Sequence, residues 1–329
     1  MTGDPIVSAV RPQWAVPGGR LVIEGTNLPL EKQGPPRVTV GGVRAPVIAA
    51  SSRRLRVLVP AGVDGGLAAI RIEPGRIDAG AVHVARRLAT GLHQVDNPAF
   101  DSAGNLFVTY SGSRGQEAPV SIFRVTPGGT REPFAYGIVN ATSLAFGPDG
   151  KLYVSSRFEG AVYRVHEDGS HEQAASDLGV ACGIAFDADG AMYVGDRTGT
   201  IFRLRDGDAT TFATIPASVA AFHLAMSPSR ELFVTAPTLN AYDYVYRITR
   251  QGDVRTLPSP LGRPQGLVFG PDGHLYVVDA LSGSSGVYRF TDLDREPELV
   301  VTGVGLLGVA FGPRGEMVVT SNETAYRFD

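Results

Sequence analysis

Asp96 and His223 are the two side chains whose types and positions best suit acid–base chemistry. Imidazole titrates near neutral pH, and a neighbouring carboxylate can orient the ring and stabilise its charged form. Each residue lies shortly before the aromatic residue or Met that ends an apolar run, Phe100 in one case and Met226 in the other. We predict that both face one channel, where they either act as a general acid and base or simply hydrogen-bond to their surroundings.

Cys182 occupies a third position of this kind, and His223 as a base would make its thiol a nucleophile. That role requires hydrogen-bond contact with the base and a lowered thiol pKa. The alternative is a small buried side chain, which is common for cysteine in protein cores. Because Cys182 is the only cysteine, the sequence excludes an intramolecular disulfide and a cysteine-rich zinc site.

Polar and aromatic side chains near these positions, and on the loops beyond them, are candidates for binding a protein, a glycan or a small polar ligand. Two loop insertions offer the most surface, SGSRGQEAP after Tyr110 and PTLNAYD after Ala236. The predicted ligand-binding residues are Asn97, Asn140, Thr142, Cys182, Gln265, Tyr110, Arg157, Asp196 and Arg197.

A repeat that occurs six times, about 40 residues apart, places these residues. In PQGLVFGPDGHLYVVDA (264–280), an apolar run, a turn rich in Gly, Pro and Asp, and a second β-prone run predict a hairpin, so GPDG is a turn and not a ligand site. The other copies are NPAFDSAGNLFVTY (97–110), TSLAFGPDGKLYVSS (142–156), CGIAFDADGAMYVGD (182–196), HLAMSPSRELFVTA (223–236) and LGVAFGPRGEMVVTS (307–321).

A third strand in each repeat is marked by an aromatic residue followed by Arg, and a more polar fourth strand closes most repeats. Four antiparallel strands at this period predict the blades of a β-propeller. The recurring arginines are predicted to be structural, pairing with turn carboxylates or covering neighbouring strands. They are Arg124, Arg164, Arg203, Arg247, Arg289 and Arg327.

The last repeat ends after its third strand, and AVHVARRLATG (81–91) has the form of the missing fourth strand. Pairing of this segment with the last repeat would close the ring and remove two exposed sheet edges. We therefore predict an all-β chain with a six-bladed β-propeller at residues 79–329. Short alternating strands between Gly and Pro turns predict a small immunoglobulin-like β-sandwich at residues 1–78.

The N-terminal segment resembles the IPT/TIG family of immunoglobulin-like domains through VRP (10–12), PGGRLVIEGTNL (17–28), VTVGG (38–42) and LRVLVPAG (55–62). Members of that family are usually binding or spacing modules. The resemblance therefore implies a binding or spacing module next to the propeller and argues against a purely metabolic enzyme.

The propeller repeats resemble NHL repeats and, more broadly, the six-bladed superfamily of gluconolactonases and senescence-marker proteins, over about residues 81–329. The resemblance implies a calcium site made by an acidic residue in the first blade, amides in the next two and an aspartate in the fourth. Asp96 matches the first ligand, but Thr142 and Cys182 replace the amides and Phe222 replaces the aspartate. We therefore expect no cofactor, with calcium at Asp96 as the alternative.

These observations favour a binding protein of bacterial type that presents a ligand or protein surface at the channel mouth. The alternative is an enzyme, either a metal-dependent hydrolase of sugar lactones or another hydrolase or lyase in the same channel. Asp96 and His223 would then be the catalytic residues.

Charge and hydropathy exclude several other classes. The net charge is −3 and the positive residues are dispersed, so neither nucleic-acid binding nor a polybasic membrane patch is expected. No apolar run approaches the length of a membrane span, so no membrane insertion is expected. The N-terminal residues lack the pattern of a signal peptide, which predicts a cytoplasmic protein, or an exported one if a leader has been removed.

Overall fold

The computed structural model describes residues 4–30, 34–63, 65–73, 75–220, 222–280 and 285–328. All regular secondary structure in these residues is β, which confirms the predicted class. None of the described residues forms a helix with the length and hydropathy of a membrane span.

Two sheets packed face to face form the N-terminal part, with strand orders β1-β3-β7-β6 and β5-β4-β8-β9. Burial alternates along the strands, so that Ile70 and Ile72 face the core while Arg71 between them faces solvent. Leu21 and Ile23 of the opposite sheet belong to the same core. The strands are β1 (Ile6–Arg11), β2 (Trp14–Ala15), β3 (Arg20–Thr26), β4 (Arg37–Val40), β5 (Val43–Ala45), β6 (Val47–Ala50), β7 (Arg54–Leu58), β8 (Gly66–Glu73) and β9 (Ile77–Val84).

The rest of the described chain forms six four-stranded antiparallel units, here called sheets 1 to 6. In each of them the hairpin strands of the repeat are followed by the Arg-containing third strand. Sheet 6 takes its fourth strand, β10 (Arg86–Thr90), from the segment before sheet 1.

Sheet 1 contains β11 (Ala99–Phe100), β12 (Leu106–Thr109), β13 (Ile122–Val125) and β14 (Arg131–Ala135), and sheet 2 contains β15 (Ala141–Phe146), β16 (Leu152–Ser156), β17 (Ala161–Val165) and β18 (His171–Ala175). Sheet 3 contains β19 (Ala181–Phe186), β20 (Met192–Asp196), β21 (Thr200–Arg205) and β22 (Asp208–Thr214), and sheet 4 contains β23 (His223–Met226), β24 (Leu232–Thr235), β25 (Tyr246–Ile248) and β26 (Val254–Thr256). Sheet 5 contains β27 (Pro264–Phe269), β28 (Leu275–Asp279), β29 (Gly286–Phe290) and β30 (Glu298–Thr302), and sheet 6 contains β31 (Leu306–Phe311), β32 (Met317–Ser321) and β33 (Thr324–Phe328) in addition to β10.

The first strands of the six sheets contact one another in sequence order, and the first strand of sheet 6 contacts that of sheet 1. The sheets therefore form a closed ring around a central channel. Aromatic side chains pack edge to face between neighbouring sheets, with ring centroids 5.1 Å apart for Phe233 and Phe269 and 4.9 Å apart for Tyr276 and Phe311. This packing buries the faces that a single sheet would leave in water.

The ring is closed by antiparallel pairing of β10 with β33, in which Arg86 lies opposite Arg327 and Thr90 opposite Thr324. The predicted closing strand, residues 81–91, is correct only in its second half. Residues up to Val84 belong to β9, because their backbone groups already pair with β8 and β2.

The N-terminal part and sheet 5 share one continuous sheet, because β2 lies parallel between β30 and β9. Trp14 of β2 stacks on His83, with 5.2 Å between ring centroids, and packs edge to face on Phe328. The predicted division at residues 78 and 79 falls inside β9, and as a domain boundary it stays a prediction.

The arginines of the third strands mostly pair with acidic side chains. Arg247 donates two hydrogen bonds to Glu231, at 3.0 and 2.7 Å, and Arg289 donates one to Glu298 at 2.9 Å. Their charges are thus neutralised at the sheet surface, as expected for a structural role.

Candidate functional site

Two rings of residues surround the channel where the first strands begin. The mouth ring consists of Asp96, Thr142, Cys182, Phe222, Gln265 and Leu307, and the deep ring, one residue further along each repeat, consists of Asn97, Ser143, Gly183, His223, Gly266 and Gly308. Three mouth-ring residues line a cavity at this end of the channel, whereas no deep-ring residue lines it.

Asp96 and His223 meet across the channel, with Oδ1 of the carboxylate 2.5 Å from Nδ1 of the ring. Sheets 1 and 4, which carry them, are three steps apart around the ring in either direction, so they face each other. Asp96 is 2% exposed and His223 is not exposed at all. The structure therefore brings the predicted acid–base pair together, but beneath the cavity and not in its wall.

The second nitrogen of His223, Nε2, is buried and has no hydrogen-bond partner among the described residues. Oδ1 of Asp96 has two hydrogen-bond partners, because it also accepts a hydrogen bond from the backbone NH of Asn97 at 2.6 Å. In this geometry the carboxylate orients the imidazole, and the second ring nitrogen of His223 has no partner among the described residues.

Asn97, one of the predicted ligand-binding residues, links three sheets through the hydrogen bonds of its side-chain amide. Its amide donates to the carbonyl of Leu267 at 2.7 Å and accepts from the backbone NH of Val309 at 3.0 Å. Gly266 and Gly308 leave room for it, because a Cβ on Gly266 would overlap with Oδ1 of Asn97 and lie 2.7 Å from the carbonyl oxygen of Leu307.

The four positions that the resemblance assigns to calcium do not fit that ion. The carboxylate of Asp96 is committed to His223, and the hydroxyl of Thr142 donates to the carbonyl of Asn140 at 2.7 Å. Cys182 supplies a buried thiol and Phe222 a fully buried phenyl ring, whereas calcium requires several oxygen ligands. Among the described residues, no three His, Cys, Asp or Glu side chains converge as metal ligands.

Cys182 lacks the properties of a nucleophile. Burial raises the pKa of its thiol from 9.0 to about 11, so the thiolate is scarce at neutral pH. Its carbonyl accepts a hydrogen bond from the hydroxyl of Ser155 at 2.5 Å, which ties sheet 3 to sheet 2. The alternative of a buried core cysteine therefore describes the residue.

The cavity at the channel mouth has a volume of about 730 Å³, and residues of all six repeats or the loops before them line it. Apolar side chains, including Val180, Val219 and Leu307, make up much of its wall. The predicted ligand-binding residues that line it are Asn140, Arg157, Cys182, Arg197 and Gln265.

The other predicted residues lie outside this wall. Tyr110 packs against His93, with ring centroids 5.7 Å apart. The buried carboxylate of Asp196 accepts hydrogen bonds from the backbone NH groups of Val180 and Thr198, at 2.9 and 3.1 Å, so it holds its own loop in place. Asp96, Asn97, Thr142 and His223 lie below the cavity or beside it.

Asn140 lines the cavity, yet its side chain is occupied. Its amide donates to the carbonyls of Ser111 and Ser113, at 2.6 and 2.8 Å, and accepts from the backbone NH of Gly115 at 2.7 Å. These bonds fix the insertion after Tyr110, which carries Arg114 into the cavity wall.

Sequence reasoning missed Arg114 and Arg263 as cavity residues. Arg114 lies in SGSRGQEAP, the first of the two predicted binding insertions. The sequence therefore indicated this loop but not Arg114 itself. Arg263 directly precedes the fifth repeat, outside the repeating pattern, and nothing in its local sequence marks it. The equivalence of Arg157 and Arg197, each the first residue after a second strand, was a readable signal.

Comparison with known families assigns the N-terminal part, since residues 5–81 match the family described as the IPT/TIG domain. The N-terminal segment is an IPT/TIG domain. The IPT/TIG domain thus ends within β9, close to where the chain passes into the ring of sheets. A search of the curated proteins gave no match.

Solved structures match the chain at low identity. An auxiliary nutrient binding protein from Bacteroides ovatus has 13% identity and a TM-score of 0.57, with 99% of this chain and 98% of that chain covered. A catalytically inactive virginiamycin B lyase from Staphylococcus aureus with quinupristin has 13% identity and a TM-score of 0.53, with 99% of each chain covered. A gluconolactonase from Xanthomonas campestris has 16% identity and a TM-score of 0.58, with 73% of this chain and 88% of that chain covered. These likenesses support the fold, in which the IPT/TIG domain precedes the propeller.

Replacement of Gly266 by Ala is expected to lower the free energy of unfolding by about 1–3 kcal/mol, because the new methyl group overlaps with Asn97. Gly128→Ala is the matched control, since its nearest neighbour would be 3.8 Å away, and a change within about 0.5 kcal/mol is expected there. Urea unfolding of both variants measures the difference. Equal effects would contradict the role given to Asn97.

The thiol of Cys182 is expected to react slowly with a disulfide reagent in the native protein and quickly after unfolding, because it is buried and protonated. A pKa raised on folding contributes stability below pH 9, and this contribution is lost as the pH rises from 9 towards 11, where only the unfolded chain releases the proton. Unfolding of the wild type and Cys182→Ala across this pH range measures the loss. Rapid native labelling at pH 7 would contradict the assignment.

Proposed function

We propose that this chain is a binding protein, a six-bladed propeller of the NHL type that takes up a small polar ligand in the cavity at its channel mouth. The cavity itself carries the proposal, because its volume of about 730 Å³ lies in the range of small-molecule sites and apolar wall surface combines there with a few polar groups. The IPT/TIG domain would position the propeller relative to a surface or a partner.

The floor of the cavity favours binding over turnover. Its mouth-ring members are Cys182, Gln265 and Leu307, which offer a protonated thiol, an amide and an alkyl group. Groups of these types can orient a ligand, but none of them is an effective acid or base at neutral pH. Similarity over nearly the whole chain to an auxiliary nutrient binding protein agrees with this interpretation.

A thermal-shift screen of sugars, sugar acids, amino acids and short peptides, followed by calorimetry, tests the proposal. We expect at least one of these classes to bind the wild type and to lose at least tenfold in affinity in Val219→Trp, which fills the cavity at a half-exposed position. Ala188→Trp, in an exposed turn outside the cavity, should bind as the wild type does. Binding that is insensitive to Val219→Trp would place the site elsewhere.

A second candidate function, a hydrolase or lyase, is favoured by the free Nε2 of His223. With Nδ1 held by Asp96, this atom is the one that would exchange a proton with a substrate. Such an enzyme would require the substrate to reach below the mouth ring, where the pair is now sealed from water.

A lactone-hydrolysis screen with and without calcium, together with calcium titration by calorimetry, separates the two functions. We expect no turnover and no tight calcium binding, because the positions of the mouth ring do not supply the oxygen ligands. Turnover that disappears in both Asp96→Ala and His223→Ala, while both variants remain folded by circular dichroism, would support the second candidate instead.

A further inference from the structure

We infer that the cavity at the channel mouth binds a small organic anion that carries two or more negative charges on carboxylate or phosphate groups. The inference rests on the proposed binding function and specifies the chemistry of the ligand. Four arginines line the cavity, Arg114, Arg157, Arg197 and Arg263, whereas no Asp or Glu is among the described residues of its wall.

These four arginines have no counter-ion among the described residues, in contrast to the arginines that pair with Asp or Glu elsewhere in the chain. Arg124 pairs with Glu132, at 2.8 Å, and Arg230 with Asp189, at 2.7 Å, as the arginines of the third strands generally do. Within the described part of the chain, the guanidinium groups of the four cavity arginines form neither an ion pair nor a hydrogen bond. Exposed arginines such as Arg53 and Arg71 also form no ion pair with the described residues, so the distinctive feature of these four is that they converge on one cavity.

The nearest carboxylate in the sequence does not serve as that counter-ion. Asp196 directly precedes Arg197, but its oxygens accept hydrogen bonds from the backbone of Val180 and from both the backbone NH and the hydroxyl of Thr198. The carboxylate thus caps its own loop. The guanidinium of Arg197 is left to the cavity.

The pKa values of two neighbouring groups are lowered, mainly by burial and in addition by nearby positive charge. Burial lowers the pKa of Arg157, and the positive charges of Arg197 and Arg114 lower it further. Burial also lowers the pKa of His93, with Arg157 as the second cause. Like charges held together in a partly desolvated site repel one another, and an anion that enters relieves this repulsion.

Geometry favours a ligand with more than one anionic group on an organic body. The guanidinium groups come from sheets 1, 2 and 3 and from the segment before sheet 5. A ligand with two separated anionic groups can therefore contact more of them than one small ion can. Each planar guanidinium can bind a carboxylate or a phosphate with two parallel hydrogen bonds. Between them, Phe158, Val180 and Leu307 offer apolar surface to the rest of the ligand.

Calorimetry with matched charged and neutral probes tests the inference. The pairs are isophthalate against isophthalamide, which have the same ring, and glucose 6-phosphate against glucose, which have the same sugar. We expect at least one dianion to bind at least tenfold more tightly than its neutral partner and to weaken as the salt concentration rises. The two pairs also tell whether carboxylate or phosphate is preferred.

Arg157→Gln and Arg197→Gln are each expected to weaken binding of the dianion about tenfold or more, because a charged, bidentate partner is lost. Arg295→Gln changes the net charge equally at an exposed site outside the cavity and should leave the affinity unchanged. Arg157→Gln should also leave the thermal midpoint of the free protein unchanged or raise it, because repulsion is relieved, which shows that lost binding is not lost folding.

Arg157→Lys provides a second check. It keeps the positive charge but loses the planar guanidinium that binds an anion with two hydrogen bonds, so an affinity for the dianion between those of the wild type and Arg157→Gln is expected. Neutral probes that bind as tightly as the dianions, or failure of every dianion to bind, would overturn the inference while the cavity could still be a binding site. Dianion binding that survives both glutamine variants would also overturn it. The proposed binding function would fail in a different way. In that case no compound of the thermal-shift screen would bind the wild type and lose affinity in Val219→Trp.

Discussion

The contact between Asp96 and His223 determines much of what the channel can do. The two residues come from opposite sheets of the ring, so their side chains meet only when all six sheets are in place. A buried carboxylate without a partner is costly, and breaking such a pair by removing one member costs about 3–5 kcal/mol in other proteins. The pair closes the channel beneath the mouth ring, so the two groups that resemble catalytic residues lie outside the cavity wall.

Small residues around this contact are as important as the pair itself. Gly266 and Gly308 allow Asn97 to reach the backbones of sheets 5 and 6, and Gly183 approaches the carbonyl of Phe222 where a side chain would not fit. The residues of the deep ring therefore pack closely and hydrogen-bond to one another's sheets, which blocks the channel at this level. The mouth ring above it includes the residues that line the cavity, namely Cys182, Gln265 and Leu307.

Two sets of arginines in this chain differ in their electrostatic surroundings. The third-strand arginines are mostly neutralised by glutamates and aspartates, whereas those at the mouth have no ion pair among the described residues and repel one another. Uncompensated charge of this kind does not stabilise the free protein, and functional sites are the places where it is usually found. No described residue of the IPT/TIG domain lines the cavity, and strand β2 of this domain pairs with β30 of sheet 5, which fixes the place of the domain relative to the ring.

The repeat period, the hairpin turns and the third-strand arginines determined the architecture from sequence alone, because each depends on local chemistry that recurs six times. Alignment of the repeats also indicated that Asp96 and His223 face the same channel. Tertiary structure alone decided that they bond to each other and that Asn140 and Asp196 hold loops. It also brought Arg114 and Arg263 together with Arg157 and Arg197. Those outcomes depend on distances between residues far apart in the chain, which closure of the ring sets and no single repeat encodes.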